Sequence, residues 1–328
     1  ADIIIATQDS SMGMAGPAMI SGGGMGEYHP KEIGPASSLF QNGVIDLLVE
    51  NEKEAISIAK QYLSYFQGPL EKGKVVDQKK LRTLLPQDRK YAYDIMKIIH
   101  TLADENSVLE LRSGFAKNLV TCLARIEGKS IGIIANNTRY LGGAIDSEGA
   151  DKASRFMQLC NAFNFPLVSL CDTPGFMVGP ADEAKGLIRH SGRLFINAAA
   201  LNIPQITIIL RKAYGLGAMA MAGGGFHESF LTLAWPTGEF GAMGLEGAVK
   251  LGFKSELEKI QNPENKVKHF NELVEKEYEK GKSINAAESL EFDEVIDPAE
   301  TRNRIITALA TVTNTIKHSC SSRFIDGW

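Results

Sequence analysis

Phe165-Pro-Leu-Val-Ser-Leu-Cys-Asp-Thr-Pro-Gly-Phe176 is a strand-length apolar run that ends on Asp172-Thr173-Pro174-Gly175, letters that nucleotide switches place against a γ-phosphate and its Mg²⁺. A switch of that kind needs a loop G-x-x-x-x-G-K-[ST] on an earlier strand, because only a glycine-rich backbone can turn several N–H groups onto phosphate oxygens. Gly128-Lys129-Ser130 supplies the end of such a loop, but Leu123 stands where its first glycine belongs. The run CLARIEGKSIGIIANN instead reads as two strands joined by a Glu-Gly-Lys turn, and no Asn-Lys-x-Asp run follows. The segment 165–176 is therefore expected to be a core strand and its strand-end turn, with no nucleotide involved.

Around it, β-type runs (Ile3–Ala6, Val44–Val49, Ile131–Ala135, Leu167–Cys171, Ile206–Leu210, Leu231–Trp235) alternate with helical patterns at Glu52–Phe66, Lys152–Phe163, Leu187–Leu201 and Pro298–Ile316. That alternation is α/β. The 67–90 stretch QGPLEKGKVVDQKKLRTLLPQDRK is rich in charge, Gly and Pro and reads as a linker. On either side of it the chain repeats itself loosely. DIIIATQDSSMGMAGPAM matches FLTLAWPTGEFGAMGLEGA, and Gly43-Val-Ile-Asp46 before one helix matches Glu294-Val-Ile-Asp297 before another. A preserved order of this kind is how a duplicated domain reads, and the second copy carries a long stretch that the first lacks. The expected organisation is thus the C-terminal part of a first subdomain (1–68), a linker (69–90) and a second subdomain (91–328), with the chain starting inside its first domain.

The chain has 328 residues, 44% hydrophobic and 23% charged, with a net charge of −4. The signs are well mixed and no basic stripe occurs, which argues against nucleic acid as a partner. No apolar run approaches the roughly 18 residues of a membrane span, and no signal peptide is evident. Cys122, Cys160, Cys171 and Cys320 are scattered without a C-x-x-C pair, so neither a zinc ribbon nor a disulfide framework is indicated. A reducing compartment fits: the cytoplasm, or the mitochondrial matrix in a eukaryote.

Two glycine turns follow strands. One is Gly142-Gly143-Ala144 after Ile131–Ala135, and the other is Tyr214-Gly215-Leu216-Gly217-Ala218 after Ile206–Leu210. Such a turn lets a ligand oxygen approach the backbone, and the free N–H groups of the following helix point at it. It can hold an oxyanion. The same glycines also serve close helix–strand packing with no ligand at all.

The succession Gly142-Gly-Ala-Ile-Asp146, Lys152-Ala-Ser-Arg-Phe156, Asp172-Thr-Pro-Gly-Phe176, Gly186-Leu-Ile-Arg-His190, Arg211-Lys-Ala-Tyr-Gly215, Ala234-Trp-Pro-Thr237 and Met243-Gly-Leu-Glu-Gly-Ala248 resembles the carboxyltransferase component of biotin-dependent acyl-CoA carboxylases. The resemblance implies a crotonase-like (ClpP/crotonase) spiral of ββα units in two related domains. It also implies transfer of CO₂ from carboxybiotin to the α-carbon of an acyl-CoA, with the ureido nitrogen of biotin taking the α-proton. The protein then supplies two oxyanion holes, one for the ureido oxygen and one for the thioester enolate. On this sequence the first falls to the amides of Gly217 and Ala218, and the second to a part of the N-terminal domain that lies outside it. Gly142, Gly143, Ala144, Pro174, Gly175, Phe176, Tyr214, Gly215 and Ala220 are expected to line the substrate and biotin site, Ala220 at a position that gates acyl size. One departure is that Leu216 stands as an extra residue in the turn, which leaves Gly215 as the alternative donor.

Coenzyme A thioester as substrate, biotin on a carrier domain, a biotin carboxylase, and a homodimer or trimer of dimers are further implications; no metal is expected. Two other readings share the fold: a decarboxylase subunit that moves CO₂ from an acyl-CoA to biotin for a membrane pump, and a non-catalytic acyl-CoA-binding scaffold.

Other candidates are given structural roles. His190 and His227 are expected in core or interface positions, and Asp146 and Glu148 as helix caps. Met219–Met221 reads as filler, Cys171 as a buried strand residue, and the charged run ENKVKHFNELVEKEYEKGKS as a solvated helix.

Overall fold

The computed structural model describes residues 1–312. Cys320 and the end of the helix expected over Pro298–Ile316 lie outside them. The strands are β1 (Ile5–Thr7), β2 (Leu47–Val49), β3 (Leu109–Leu111), β4 (Leu119–Ile126), β5 (Lys129–Asn136), β6 (Leu167–Thr173), β7 (Gln205–Tyr214), β8 (Leu231–Ala234), β9 (Glu239–Gly241) and β10 (Glu294–Val295). β1 and β2 form a small parallel pair. The others form one sheet in the order β10-β8-β7-β6-β5-β4-β3, with β9 also on β7.

The GKS segment is a hairpin. β4 and β5 run antiparallel with Ile126 opposite Lys129, and Glu127 and Gly128 both take positive φ, 51° and 77°. Two left-handed residues in a two-residue loop match the twist of the flanking strands. From β5 onward, β5, β6, β7, β8 and β10 are parallel neighbours. Apolar side chains alternate between two cores, as the pleat requires. Leu167, Cys171, Ile209 and Ala213 face one, under the helices Ser147–Ala162 and Leu187–Ala199; Val168, Leu170, Ile206, Ile208 and Leu210 face the other, with the helix Ile95–Leu102 and Ile305 of the helix Thr301–Thr311. Burial on both faces explains why these strands read as unbroken apolar runs.

The internal repeat has a structural counterpart. β1 pairs in parallel with the segment after Gly43-Val-Ile-Asp46, and β8 with β10 inside Glu294-Val-Ile-Asp297. Each leading strand is followed by a helix with a glycine N-cap and no side-chain cap, Gly16 before Pro17–Gly22 and Gly244 before Leu245–Gly252.

The 67–90 segment is tied down along its length. It holds a 3₁₀ turn, Gln78–Thr83, whose Leu81 is buried in the second core, and Arg82 grips Asp297. The charged run forms the helix Pro263–Gly281, most of it exposed as expected, with one face packed down. Its Leu273 and Val274 are buried against Tyr214, Leu245, Val249 and Leu257.

Asp104 anchors the far side of the sheet. Its carboxylate accepts N–H bonds from Glu127 (3.1 Å) and Gly128 (2.7 Å) and pairs with buried Arg302 at 2.5 Å. Removing one partner of a buried pair strands the other charge. Asp104→Ala should therefore lower unfolding free energy by about 3–5 kcal/mol, and Asp104→Ala with Arg302→Met by distinctly less. Urea unfolding of the two variants checks this; equal losses would refute the ion-pair account.

Candidate active site

The parallel strands β5, β6 and β7 are neighbours, so their C-terminal ends open on one edge, where open α/β sheets bind their ligands. Three turns leave that edge. After β5 the chain passes through Leu141, Gly142 and Gly143, all at positive φ (50°, 61° and 87°). After β6 comes Pro174-Gly175-Phe176, with Gly175 at φ 119°. After β7 comes Gly215 at φ 56°, opening the helix Gly215–Met221.

Glycine brings these turns into contact. A Cβ on Gly143 would lie 2.4 Å from the Asp172 carbonyl oxygen, and one on Gly217 would lie 2.6 Å from the Gly175 carbonyl carbon. Close packing thus accounts for both glycines. The first two turns are also laced by backbone bonds, Ile145 N–H to Gly175 O (3.0 Å) and Met177 N–H to Ile145 O (2.8 Å).

Beneath them lies Asp172, fully buried. Its carboxylate accepts from Arg211 Nε at 3.0 Å and from the Lys212 backbone N–H at 3.2 Å, and Lys212 Nζ is 3.6 Å away. The register shift between Cys171/Ile209 and Thr173/Ala213 in the β6–β7 ladder is what lets Arg211 and Lys212 reach it. Irregularities of this kind re-aim side chains beside functional sites. Buried Asn136 receives the Asp172 N–H (3.1 Å) and donates to Gly143 O (3.1 Å), while Lys212 Nζ donates to Gly142 O (2.8 Å). The letters shared with nucleotide switches are therefore a strand-end anchor.

The structure brings Gly142, Gly143, Ala144, Pro174, Gly175, Phe176, Tyr214, Gly215, Gly217 and Ala218 to this one edge. Of these, Gly143, Ala144, Gly175, Tyr214, Gly217 and Ala218 are buried, and Gly142 is exposed. Phe176 packs against Phe195, centroids 6.3 Å apart. The helix Gly215–Met221 has no side-chain cap on its first turn. The first N–H groups of a helix have no carbonyl one turn back, which leaves those of Leu216 and Gly217 without a helical partner, whereas Ala218 sits four residues after the Tyr214 carbonyl.

Beside this helix is a cleft of ≈ 430 Å³, lined by Gly215, Met219, Phe226, Phe240, Gly241 and Ala286 among others, with Lys280 and Glu291 also on its wall. Met219 faces it, whereas Ala220 is fully buried one position further on. Of the Met219–Met221 run read as filler, Met221 is buried in the core, and Met219 is the residue that reaches the cleft.

Asp146, Cys171 and His190 fall as expected, whereas His227, expected in a core or interface position, is exposed on this chain. Asp146 caps its helix by accepting from Gly149 N–H at 2.8 Å. Burial pushes the Cys171 thiol far up, so it carries no thiolate. His190 sits against Asp151 at 2.8 Å. Among the described residues no group of His, Cys, Asp and Glu could hold a metal, and no helix is long and apolar enough to cross a membrane. Sequence reasoning missed Asn136, Phe226 and Phe240. It also missed Glu239, a buried carboxylate against Tyr214; the only sequence signal was its place in a short strand after Pro236-Thr-Gly238.

The family model described as "Carboxyl transferase domain" matches residues 1–324. The methylmalonyl-CoA carboxyltransferase 12S subunit of Propionibacterium freudenreichii subsp. shermanii is 34% identical over 321 residues, 94% of this chain and 60% of that protein. A solved single-chain, multi-domain long-chain acyl-CoA carboxylase superposes with TM-score 0.88 at 50% identity, covering 94% of this chain and 30% of the other. Transcarboxylase 12S, solved as a hexamer with methylmalonyl-coenzyme A bound, superposes with TM-score 0.83 at 32% identity, covering 99% and 62%. The chain thus spans about 60% of the curated relative's length, and its crotonase-like α/β fold is the one expected from the sequence.

The two adjacent glycines give a test of the turn geometry. Gly142→Ala meets no atom within 4 Å and bears only the left-handed conformation, a cost of about 1–2 kcal/mol. Gly143→Ala must also displace the Asp172 carbonyl and should lose clearly more. Chemical denaturation of both variants measures the difference, and equal losses would overturn the contact between the two turns.

Proposed function

Because the chain belongs to the carboxyl transferase domain family, we propose that it contributes the carboxyl-transfer site of a biotin-dependent acyl-CoA carboxylase. The observation that carries this reading is the convergence of three strand-end turns, at glycine contacts, on one edge of the sheet. The third turn opens a helix without a side-chain cap.

The residues fit a ureido group. Leu216 and Gly217 offer backbone N–H groups at a helix start, where the dipole favours negative charge, and no side chain caps that turn. Gly217 is the donor common to the sequence reading and the helix geometry. Its partner is Ala218 in the first and Leu216 in the second, and we favour Leu216 because the Ala218 N–H faces the Tyr214 carbonyl. Biotin, brought in on a carrier, supplies the carboxyl group and a nitrogen able to take the α-proton. The chain's part is to stabilise charge with fixed dipoles: one preorganised donor contributes about 2.7–4 kcal/mol, or 10²–10³ in kcat. The Asp172 network keeps those dipoles in place.

The substrate is an acyl-CoA, and the cleft beside Met219 suits its aliphatic part. Phe226, Phe240, Ala213 and Ala286 give it apolar walls. The relative at 50% identity acts, by its description, on long-chain acyl-CoA, and we extend that chain-length class to this protein, with Met219 in place of Ala220 as the residue meeting the chain. A biotin carboxyl carrier and a biotin carboxylase, fused or separate, are the proposed partners. A homo-oligomer is proposed from the hexamer of the related 12S subunit.

The intact protein, given free biotin and malonyl-CoA, should form acetyl-CoA in a biotin-dependent reverse reaction followed by chromatography. Leu216→Pro removes one N–H within the first helical turn and should lower that rate by about 10²–10³ while the protein remains folded by circular dichroism. An inert wild-type protein that still bound CoA would favour the scaffold reading, and full activity in Leu216→Pro would remove Leu216 from the oxyanion site.

A second comparison addresses chain length. Met219→Trp should cut kcat/KM for palmitoyl-CoA by about 10–200-fold and spare propionyl-CoA; a uniform change in both would place the chain elsewhere.

A further inference from the structure

A second buried carboxylate lies behind the third turn, and the reaction proposed above makes no use of it. Glu239 opens β9, whose parallel ladder sets Glu239 against Lys212, Phe240 against Ala213 and Gly241 against Tyr214 of β7. Its side chain is 1% exposed. Oε2 accepts the Tyr214 hydroxyl at 2.5 Å and lies 3.5 Å from Arg89 Nη1, while Oε1 has no partner among the described residues.

The surroundings leave little freedom. Burial pushes the Glu239 carboxyl up, against the hydrogen bond from Tyr214 and the charge of Arg89. Burial, together with Glu239, also drives the Tyr214 phenol far up, so that hydroxyl keeps its proton and donates it. Arg89 comes from the 67–90 segment and lies over the Tyr278 ring, 4.9 Å from its centroid, within 3.8 Å of Glu246. Three separate pieces of chain thus converge on one tyrosine.

A buried carboxylate with an unpartnered oxygen is a poor stabiliser, since desolvation offsets much of what its contacts return. Its location suggests another purpose. Tyr214 is the N-cap of the helix Gly215–Met221, and Gly215, directly after it, takes φ 56°. Any tilt of Tyr214 swings the N–H groups of the next residues. β9 holds the backbone of Tyr214 from one side, and Glu239 holds its ring from the tip.

We propose that Glu239 is a positioning residue: through its hydrogen bond with the Tyr214 hydroxyl, and with Arg89 beside it, it fixes the direction of the Leu216 and Gly217 N–H groups. This rests on the carboxyl-transfer reading above and adds to it a residue that touches no reactant.

The test uses the intact protein and the biotin-dependent turnover of malonyl-CoA. Tyr214→Phe and Glu239→Leu each break the hydrogen bond, and each should lower kcat on the order of 10²-fold, the effect of a small displacement of reacting groups, with KM for malonyl-CoA unchanged. The double variant should be no worse than either alone, since both remove one shared interaction. Glu239→Gln still accepts the Tyr214 hydroxyl and should recover most of the rate. If Tyr214→Phe folds and keeps wild-type kcat, or if Glu239→Gln is as impaired as Glu239→Leu, Glu239 has no positioning role. Additive losses of Tyr214→Phe and Glu239→Leu that track the fall in thermal midpoint would show a merely structural one. A wild-type protein without biotin-dependent turnover would overturn the carboxyl-transfer reading itself and this inference with it, whereas active wild type with unimpaired variants overturns this inference alone.

Discussion

Asp172 carries a negative charge into a place that water does not reach, and the edge of the sheet where the three turns meet is arranged around that fact. Burying a carboxylate costs several kcal/mol unless its partners are well placed. Here Arg211 Nε, the Lys212 N–H and the Lys212 ammonium share it. Each partner has a second tie. Arg211 Nη1 donates to Tyr91 O at 2.8 Å and the guanidinium lies over the Tyr93 ring, while Lys212 Nζ donates to Gly142 O. The stretch that follows the 67–90 segment, the second strand end and the first glycine turn are therefore held by one charge. Losing it would strand Arg211, which is 4% exposed on its side chain.

The topology makes this arrangement possible. Parallel neighbours deliver their C-terminal ends to the same edge, so three strands bring three turns side by side without any long loop. Where the turns touch, the contact is backbone on backbone, Gly143 on the Asp172 carbonyl and Gly217 on Gly175. Packing and function make the same demand there. A residue with a Cβ would separate the turns, and separation would move every N–H that faces the edge. The bland explanation of these glycines, close helix–strand contact, is thus the means by which an oxyanion site would be built.

Much of this was legible in the sequence because it depends on strand-length apolar runs and on glycines directly after them. The hairpin at Glu127-Gly128 and the strand end at Asp172 follow from local pattern alone. What the sequence concealed depends on single positions. Pro263–Gly281 shows charge on all sides, and a few scattered apolar residues, Phe270, Leu273, Val274 and Tyr278, mark the face packed against Tyr214. In the 67–90 segment Leu81 does the same within a charged run. Ala220 and Met219 differ by one residue, which on a helix is about 100° of rotation; that suffices to place one in the core and the other on the cleft. Glu239 was invisible because its partners, Tyr214 and Arg89, are distant in sequence.

The chemistry available at the edge is narrow, and its narrowness is informative. The Cys171 thiol is held protonated by burial, His190 is engaged with Asp151, and His227 stands in solvent. Asp172 is committed to its cations, and Glu239 to a tyrosine whose proton is tightly held. The buried ionisable side chains nearest the turns, Cys171, Asp172 and Glu239, are thus held in states that a proton-transfer role would disrupt. Backbone N–H groups remain, and they can stabilise an anion without exchanging a proton. A site so composed suits a reaction in which the base arrives with the reactants and the protein provides fixed dipoles. Carboxyl transfer between a biotin ureido group and an acyl-CoA enolate is a reaction of that kind.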